Sequence, residues 1–377
     1  MEERALTERL IGYDTSQPEG IRRAAGFVKG WLEARNIEAR ELEVRGLPVI
    51  ATQVGAASGP TVLLHGHIDV VPGRPEQFQP RLDGDRLFGR GSYDMKGAVA
   101  SLLLALADLR EQDQVRVRLG LVPDEESEEE VDRGGDLLVS EGFVGDFAIT
   151  GEPTDMHIGI AAKGVLAMRI EVAGRAAHGA TPWEGENAIL RALDVFRAIE
   201  ALPFADESSE LYARPSINLG RILGGDALNK VPDVCVIDVD VRYLPEQDPR
   251  QILDQVGEVP HSRVVSTFTR PPASVDADLP YVRALCEAAS PHHPDEAMSV
   301  GRDGASDAVS FLKAGIPAVE FGPSGGGHHG PEEWVSVESL GGYRQAIIDF
   351  VHALPSWLPS EDGRPGQAPA AEADLGT

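Results

Sequence analysis

The apolar positions of this chain fall into two rhythms. Residues 4–14 and 20–35 place them every three to four positions, which predicts amphipathic helices. A strand near 49–54 follows. Apolar runs of strand length then recur at 61–65, 115–122 (which also carries Arg116 and Arg118), 146–150 and 317–321. Helical stretches lie between them, notably 95–110. Strands alternating with helices predict an α/β fold, a mixed sheet covered by helices.

The rhythm changes over 164–275. The predicted order is strand 165–173, helix 186–201, strand 215–223, strand 234–243, helix 248–256 and strand 262–270, a β-α-β-β-α-β (ferredoxin-like) unit. From Val236 onward the strand 234–243 alternates apolar with polar side chains, so one face is buried and one is wet. This pattern predicts a second domain, 164–275, inserted into a first made of 1–163 and 276–359. Residues 360–377, rich in Pro, Gly, Ala and acids and without periodicity, are expected to be a disordered tail.

Composition narrows the function classes. A chain of 377 residues is natural for two domains, and 42% hydrophobic content supplies their cores. The net charge of -27 disfavours nucleic acid and anionic membrane as partners. Lysine is confined to Lys29, Lys96, Lys163, Lys230 and Lys313, which fits either a high-salt cytoplasm or a GC-rich genome. No apolar run reaches membrane-spanning length, and the charged N-terminal helix lacks the apolar core of a signal peptide, so a cytoplasmic protein is expected. Cys235 and Cys286 fall in different elements and read as small buried residues rather than as ligands or a disulfide.

The chemistry gathers where strands end. His67 and Asp69 follow the run at 61–65 and are two apart, on one side of an extended chain. A metal-bound His commonly hands its second ring N–H to a carboxylate, which makes His67 a ligand with Asp69 behind it. Asp94 lies between a glycine-rich turn and a helix. Glu125 and Glu126 follow 115–122; neighbours in extended chain face opposite ways, so one can bind metal while the other addresses water or substrate. The acids just beyond, Glu128, Glu129, Glu130 and Asp132, read as a solvated loop. Glu152 sits in Gly-Glu-Pro-Thr. His328 and His329 share a glycine loop that can place either one, and the spacing to Glu333 and Trp334 favours His329.

Each of these taken singly is an ordinary turn or cap residue; their recurrence at successive strand ends is what points to a site, because ligands collect at the carboxyl ends of such strands. If Asp94, Glu125, Glu126 and Glu152 share one pocket, each carboxylate pair about 4 Å apart repels by roughly 4 kcal/mol at an effective dielectric of about 20. Such a cluster needs cations. Two divalent ions balance three carboxylate ligands and a bridging hydroxide, which leaves one Glu free as a base. His and carboxylate ligands without thiolate suit zinc, with cobalt or manganese as alternatives.

Six segments together resemble the dinuclear zinc amidohydrolases that include acetylornithine deacetylase, succinyl-diaminopimelate desuccinylase, aminoacylase and carboxypeptidase G. They are His-Gly-His-Ile-Asp-Val-Val-Pro (65–72), Gly-Arg-Gly-Ser-Tyr-Asp-Met-Lys-Gly (89–97), Pro-Asp-Glu-Glu (123–126), Gly-Glu-Pro-Thr (151–154), Gly-Arg-Ala-Ala-His (174–178) and Gly-Glu-Asn-Ala-Ile (185–189). The resemblance covers roughly residues 5–355. It implies that His67 and Glu152 hold one zinc, that Glu126 and His329 hold the other, and that Asp94 bridges them. It further implies that Asp69 orients His67, that Glu125 is the general base, and that a cis peptide follows Asp94. The inserted unit resembles the family's dimerisation or lid domain. There His178 would stabilise the oxyanion in the partner subunit's site, while Asn229 and Arg242 match positions that bind the substrate carboxylate. Glu332 departs from the family pattern, which has Asn. The expected activity is hydrolysis of an N-acyl amino acid by a homodimer, with a carboxypeptidase or dipeptidase as the alternative. Lys163 and Arg175 are candidate selectors of an acidic acyl group.

Overall fold

A computed structural model describes residues 2–127, 133–293, 299–304, 306 and 308–359. The predicted tail and the acidic run at 128–132 lie outside the described residues. The chain divides into two units, one drawn from Met1–Ile160, Val275–Val300 and Asp307–Thr377, the other from Ala161–Ser274 and Gly301–Ser306. Residues 301–306 thus belong with the second unit, where the sequence reading continues the first domain unbroken from 276 to 359. There Asp303 Oδ1 lies 2.7 Å from Lys163 Nζ.

In the first unit, Thr61–His67 runs parallel to Arg116–Val122 on one side and to Phe147–Thr150 on the other. Ala318–Phe321 extends the parallel set beside Phe147–Thr150. Leu47–Gly55, Ala39–Val44 and Ile158–Ala162 add antiparallel strands at the flanks, so the sheet is mixed. Every residue of Thr61–His67 is buried. Val62 and Leu64 pack in a cluster with residues of the helices Pro18–Glu33, Gly97–Asp108, Pro280–Ala289 and Val337–Trp357. Leu63 joins Leu138, Ala148 and Phe311 in a separate cluster. Helices therefore cover both faces, and each apolar side chain so buried contributes about 1.5–3 kcal/mol.

Register sets the site. His67 pairs with Val122, and His65 with Gly120 and Thr150. The three parallel strands stop at one level, and the loops carrying Asp69, Glu125, Glu126 and Glu152 leave from the same edge. The strands Ala39–Val44 and Ile158–Ala162 were not anticipated. Nor was a small sheet ordered Gly325–Gly326, Trp334–Ser336, Arg86–Phe88, Arg81–Asp83.

In the second unit, Ser216–Gly224, Val234–Tyr243, Gly164–Ala173 and Ser262–Arg270 form an antiparallel sheet in that order. The helices Ala188–Glu200 and Pro249–Gly257 pack on one face, against Leu166, Met168, Ile170, Cys235, Ile237 and Val239. Asn187 caps the first helix by accepting from the N–H groups of Ile189 and Leu190. On the opposite face Arg169 meets Asp238 through two hydrogen bonds of 2.7 and 2.9 Å. Cys235 is buried and Cys286 partly buried, in different units. No helix among the described residues is long and apolar enough to cross a membrane.

Candidate metal centre

Asp94 is the centre of the site. Its Oδ1 lies 3.1 Å from His67 Nε2 and its Oδ2 lies 3.3 Å from His329 Nε2. Glu152 Oε1 approaches the same His67 nitrogen at 3.8 Å, and Glu126 Oε1 the same His329 nitrogen at 3.0 Å. The structure thus brings His67, Asp94, Glu126, Glu152 and His329 together in two sets that share Asp94. The Asp94–Met95 peptide is cis. His329 has a left-handed backbone (φ 60), a sparsely populated state for a non-glycine residue, and from it the ring faces Asp94 and Glu126. The neighbouring His328 ring packs edge-on against Tyr93 instead.

Glu125 and Glu126 sit in a bend rather than in extended chain, yet their carboxylates part as expected. Glu126 turns to His329, whereas Glu125 Oε1 lies 4.0 Å from Arg133 Nη1. Arg133 Nη2 also donates to the Glu125 carbonyl at 3.2 Å. Beneath the bend, Asp124 is buried against Arg45 at 2.7 Å and accepts from Gly134 N–H. The Asp69 carboxylate accepts from the N–H groups of Glu125 at 3.2 Å and Glu126 at 2.9 Å. The His67 ring instead bonds the main-chain carbonyl of Asp69, at 3.0 Å from Nδ1, with the Asp69 carboxylate at 3.6 Å. Asp69 therefore serves both strand ends, the ring through its backbone and the acidic pair through its side chain.

The electrostatics are those of crowded carboxylates. Burial draws the His67 ring down, but its hydrogen bonds to Asp69 and Asp94 and the charge of Glu152 hold its pKa well above the usual histidine value. Hydrogen bonds to Asp94 and Glu126 push His329 up to about 10. Burial raises Asp94, but the hydrogen bonds from His329 and His67 outweigh it and leave it below the usual carboxylate range. Burial, reinforced by Asp94, Glu125 and Glu320, drives Glu152 well upward. The cluster gathers protons to offset its negative charge, and a divalent cation would displace them.

The residues fit such cations. Glu152 Oε1 is buried with no hydrogen-bond partner among the described residues, an acceptor left over for an ion. One ligand atom each from His67, Asp94 and Glu126 lies within 4.8 Å of the others. Two sets of nitrogen and oxygen donors joined by one carboxylate are the chemistry that paired hard-to-borderline metals take.

The remaining predicted site residues lie in the second unit. His178 is exposed, and its Nδ1 accepts from Ala180 N–H at 3.0 Å, so the neutral ring carries its proton on Nε2 as an outward donor. A backbone bridge between His178 and Lys230 brings Asn229 beside it, and Gly179 N–H donates to the Asn229 carbonyl at 2.7 Å. Arg242 is held by Asp240 at 3.0 Å. Lys163 is buried between Asp303 and the Arg214 carbonyl, and Arg175 pairs with Glu186 at 3.2 Å. Both candidate acyl selectors are thus engaged within their own unit. Glu332, which departs from the family pattern, pairs with Arg81 at 3.3 Å. Sequence reasoning missed Arg133, Asp124, Arg45, Arg90 and Glu333. The available signal was placement one to four residues from a predicted ligand or base for Asp124, Arg90 and Glu333, and a strand end for Arg45; Arg133, seven residues beyond Glu126, offered neither.

Residues 63–353 match the family described as Peptidase family M20/M25/M40. The chain is 30% identical over 367 residues to a probable carboxypeptidase of Aspergillus terreus, covering 86% of this chain and 81% of the relative. It is 29% identical over 318 residues to a probable succinyl-diaminopimelate desuccinylase of Staphylococcus aureus, covering 72% and 77%. Its fold is similar to that of an M20 family metallo-carboxypeptidase from Sulfolobus solfataricus, with a TM-score of 0.75 at 19% identity over 94% of this chain and 99% of the other. A tripeptidase from Staphylococcus aureus gives a TM-score of 0.76 at 20% identity, over 94% and 98%.

Proposed function

Since the chain belongs to the peptidase family M20/M25/M40, and is therefore an amidohydrolase or metallopeptidase, we propose that it hydrolyses the amide bond of an N-acyl amino acid. The observation that carries this reading is Asp94, whose two carboxylate oxygens face two histidines, each with its own acidic neighbour. His67, Glu152 and Asp94 would hold one divalent ion; Glu126, His329 and Asp94 would hold a second. Zinc suits these donors, with cobalt or manganese as alternatives. When bound, such ions supply Lewis acidity and bring the pKa of a water toward neutrality.

The rest is the work of the chain's own groups. Glu125, not needed as a ligand, takes the proton of the attacking water at its carboxylate and hands it to the leaving amine. Asp69 fixes the bend that aims it. The Nε2–H of His178 is a donor suited to the developing oxyanion. In a homodimer this would be His178 of the partner subunit. Asn229 and Arg242 would receive the substrate carboxylate.

A carboxypeptidase or dipeptidase activity is the second reading, favoured by the relative named as a probable carboxypeptidase. Both substrate classes offer an amide beside a free carboxylate. Turnover of N-acetyl and N-succinyl amino acids should be compared with that of dipeptides and tripeptides, using metal-loaded protein. Faster cleavage of the acylated amino acids supports the first reading, and faster cleavage of peptides supports the second. Cleavage of neither class would sink both.

A further inference from the structure

Arg90 and Glu333 are 3% and 2% exposed, and neither belongs to the ligand sets. They come from the two loops that carry Asp94 and His329. Glu333 Oε2 accepts from Gly91 N–H and Arg90 Nη1, both at 2.8 Å; its Oε1 accepts from Tyr93 and Asp94 N–H, both at 3.1 Å. In return, Arg90 Nη2 donates to the carbonyls of His329 and Gly330, both at 3.2 Å. A backbone bond from Gly89 N–H to the Glu333 carbonyl, at 3.0 Å, closes the arrangement. Each loop therefore sends one charged side chain into the backbone of the other. The Glu333 carboxylate has four donors on two oxygens, and the Arg90 guanidinium joins that carboxylate to the main chain of a ligand.

A buried ion pair is weak as a source of net stability, because desolvation offsets the attraction. It is strong as a geometric constraint, because the guanidinium fork fixes direction as well as distance. Here the constrained quantity is the separation between Asp94 and His329, two ligands that lie 235 positions apart in the chain.

We propose that Arg90 and Glu333 are positioning residues that set the reach between Asp94 and His329 and thereby govern the affinity of the cation site formed by Asp94, Glu126 and His329. The proposal rests on the two-cation reading above. Arg90 bonds one ligand directly, at the carbonyl of His329, so its loss should weaken one cation and spare the one held by His67 and Glu152. Glu333 touches the backbone of Asp94, which both cations share, so its loss should weaken both.

The test is titration of the metal-free full-length protein with Co2+, followed by visible absorption and calorimetry, for wild type, Arg90→Lys, Arg90→Met and Glu333→Gln. Lys keeps the charge beside Glu333 but cannot also reach the two carbonyls, so Arg90→Lys is the variant expected to fold. Residues that orient metal ligands typically change affinity by about 10–100-fold. We expect one Co2+ equivalent to weaken by about tenfold or more in Arg90→Lys with the other unchanged, and both to weaken in Glu333→Gln. Two wild-type-like equivalents in a folded Arg90→Lys protein would overturn the proposal alone. Equal weakening of both in that variant would also overturn it. Unfolding of both Arg90 variants by circular dichroism would show a purely structural role and would overturn it too. A wild-type protein that takes up fewer than two equivalents would overturn the two-cation reading and the proposal together.

Discussion

The two units of this molecule use charge in opposite ways. On the sheet of the second, charged pairs such as Arg169 with Asp238 and Arg263 with Glu171 stay on the wet face while apolar side chains fill the other, and the buried Lys163 lies just before the strand Gly164–Ala173, paired with Asp303. In the first, charges are buried at the strand ends: Arg90 with Glu333, Asp124 against the outer Arg45, and His67 and Asp69 beneath the acidic bend. Exposed pairs contribute little to stability, and buried ones bear a desolvation cost that packing alone would avoid. The first unit therefore retains its buried charges for position, not for stability, whereas the second is held by its core. The contrast predicts that substitutions in the first unit change chemistry more than folding, and that those in the second do the reverse.

The largest effect should come from removing cations. Chelation should abolish activity, and added zinc, cobalt or manganese should restore it. Full activity in protein shown by elemental analysis to be metal-free would break the account of the first unit. Next in size is a cavity in the second unit. Ile237 is fully buried, and Ile237→Ala should lower stability by about 2–5 kcal/mol in denaturant titrations. The fraction that remains folded should keep its turnover number. A change in chemistry without a change in stability would reverse the comparison. Asp69→Asn follows. It replaces one of two acceptors for the Glu125 and Glu126 N–H groups, a loss of about 1–3 kcal/mol that should appear as a fall of about 10–100-fold in kcat with the fold intact.

The smallest effect concerns protons. In metal-free protein the bonds to Asp94 and Glu126 push His329 from the usual histidine value of about 6.5 up to about 10. A raised folded-state value contributes stability that is fully present below about 6.5 and is lost as pH climbs through about 10. The melting temperature of metal-free protein should therefore fall over that window. A cation replaces the proton, so zinc uptake at neutral pH should release protons, seen as a buffer-dependent binding enthalpy. A buffer-independent enthalpy would argue against His329 as a ligand.

Much of this contrast was legible in the sequence, unevenly. The second unit was readable almost to its strand boundaries, because alternation such as that along Val234–Tyr243 is a local signal. In the first unit the ligand-type residues could be picked out, because His67, Glu126 and Glu152 come soon after apolar runs while Asp94 and His329 stand in glycine-rich turns. Ala39–Val44 escaped because its sequence, Ala-Arg-Glu-Leu-Glu-Val, is that of a largely exposed flanking strand. The positioning network escaped for a different reason. Arg90 and Glu333 are 243 positions apart, and nothing local distinguishes a buried Glu333 from its neighbour Glu332, which lies near the surface with Arg81. Burial of a charge is a property of the fold, so it has no local pattern in the sequence. The double role of Asp69 was hidden likewise, since its carboxylate meets a strand end more than fifty residues away.

The division of labour between Glu125 and Glu126 is the central claim, and one variant tests it. Glu125→Gln should be assayed for metal content and turnover on the same preparation. General bases contribute about 10²–10⁴-fold. A loss of that size is expected, with two metal ions still bound per chain. Near-normal turnover, or loss of a metal ion along with activity, would contradict it.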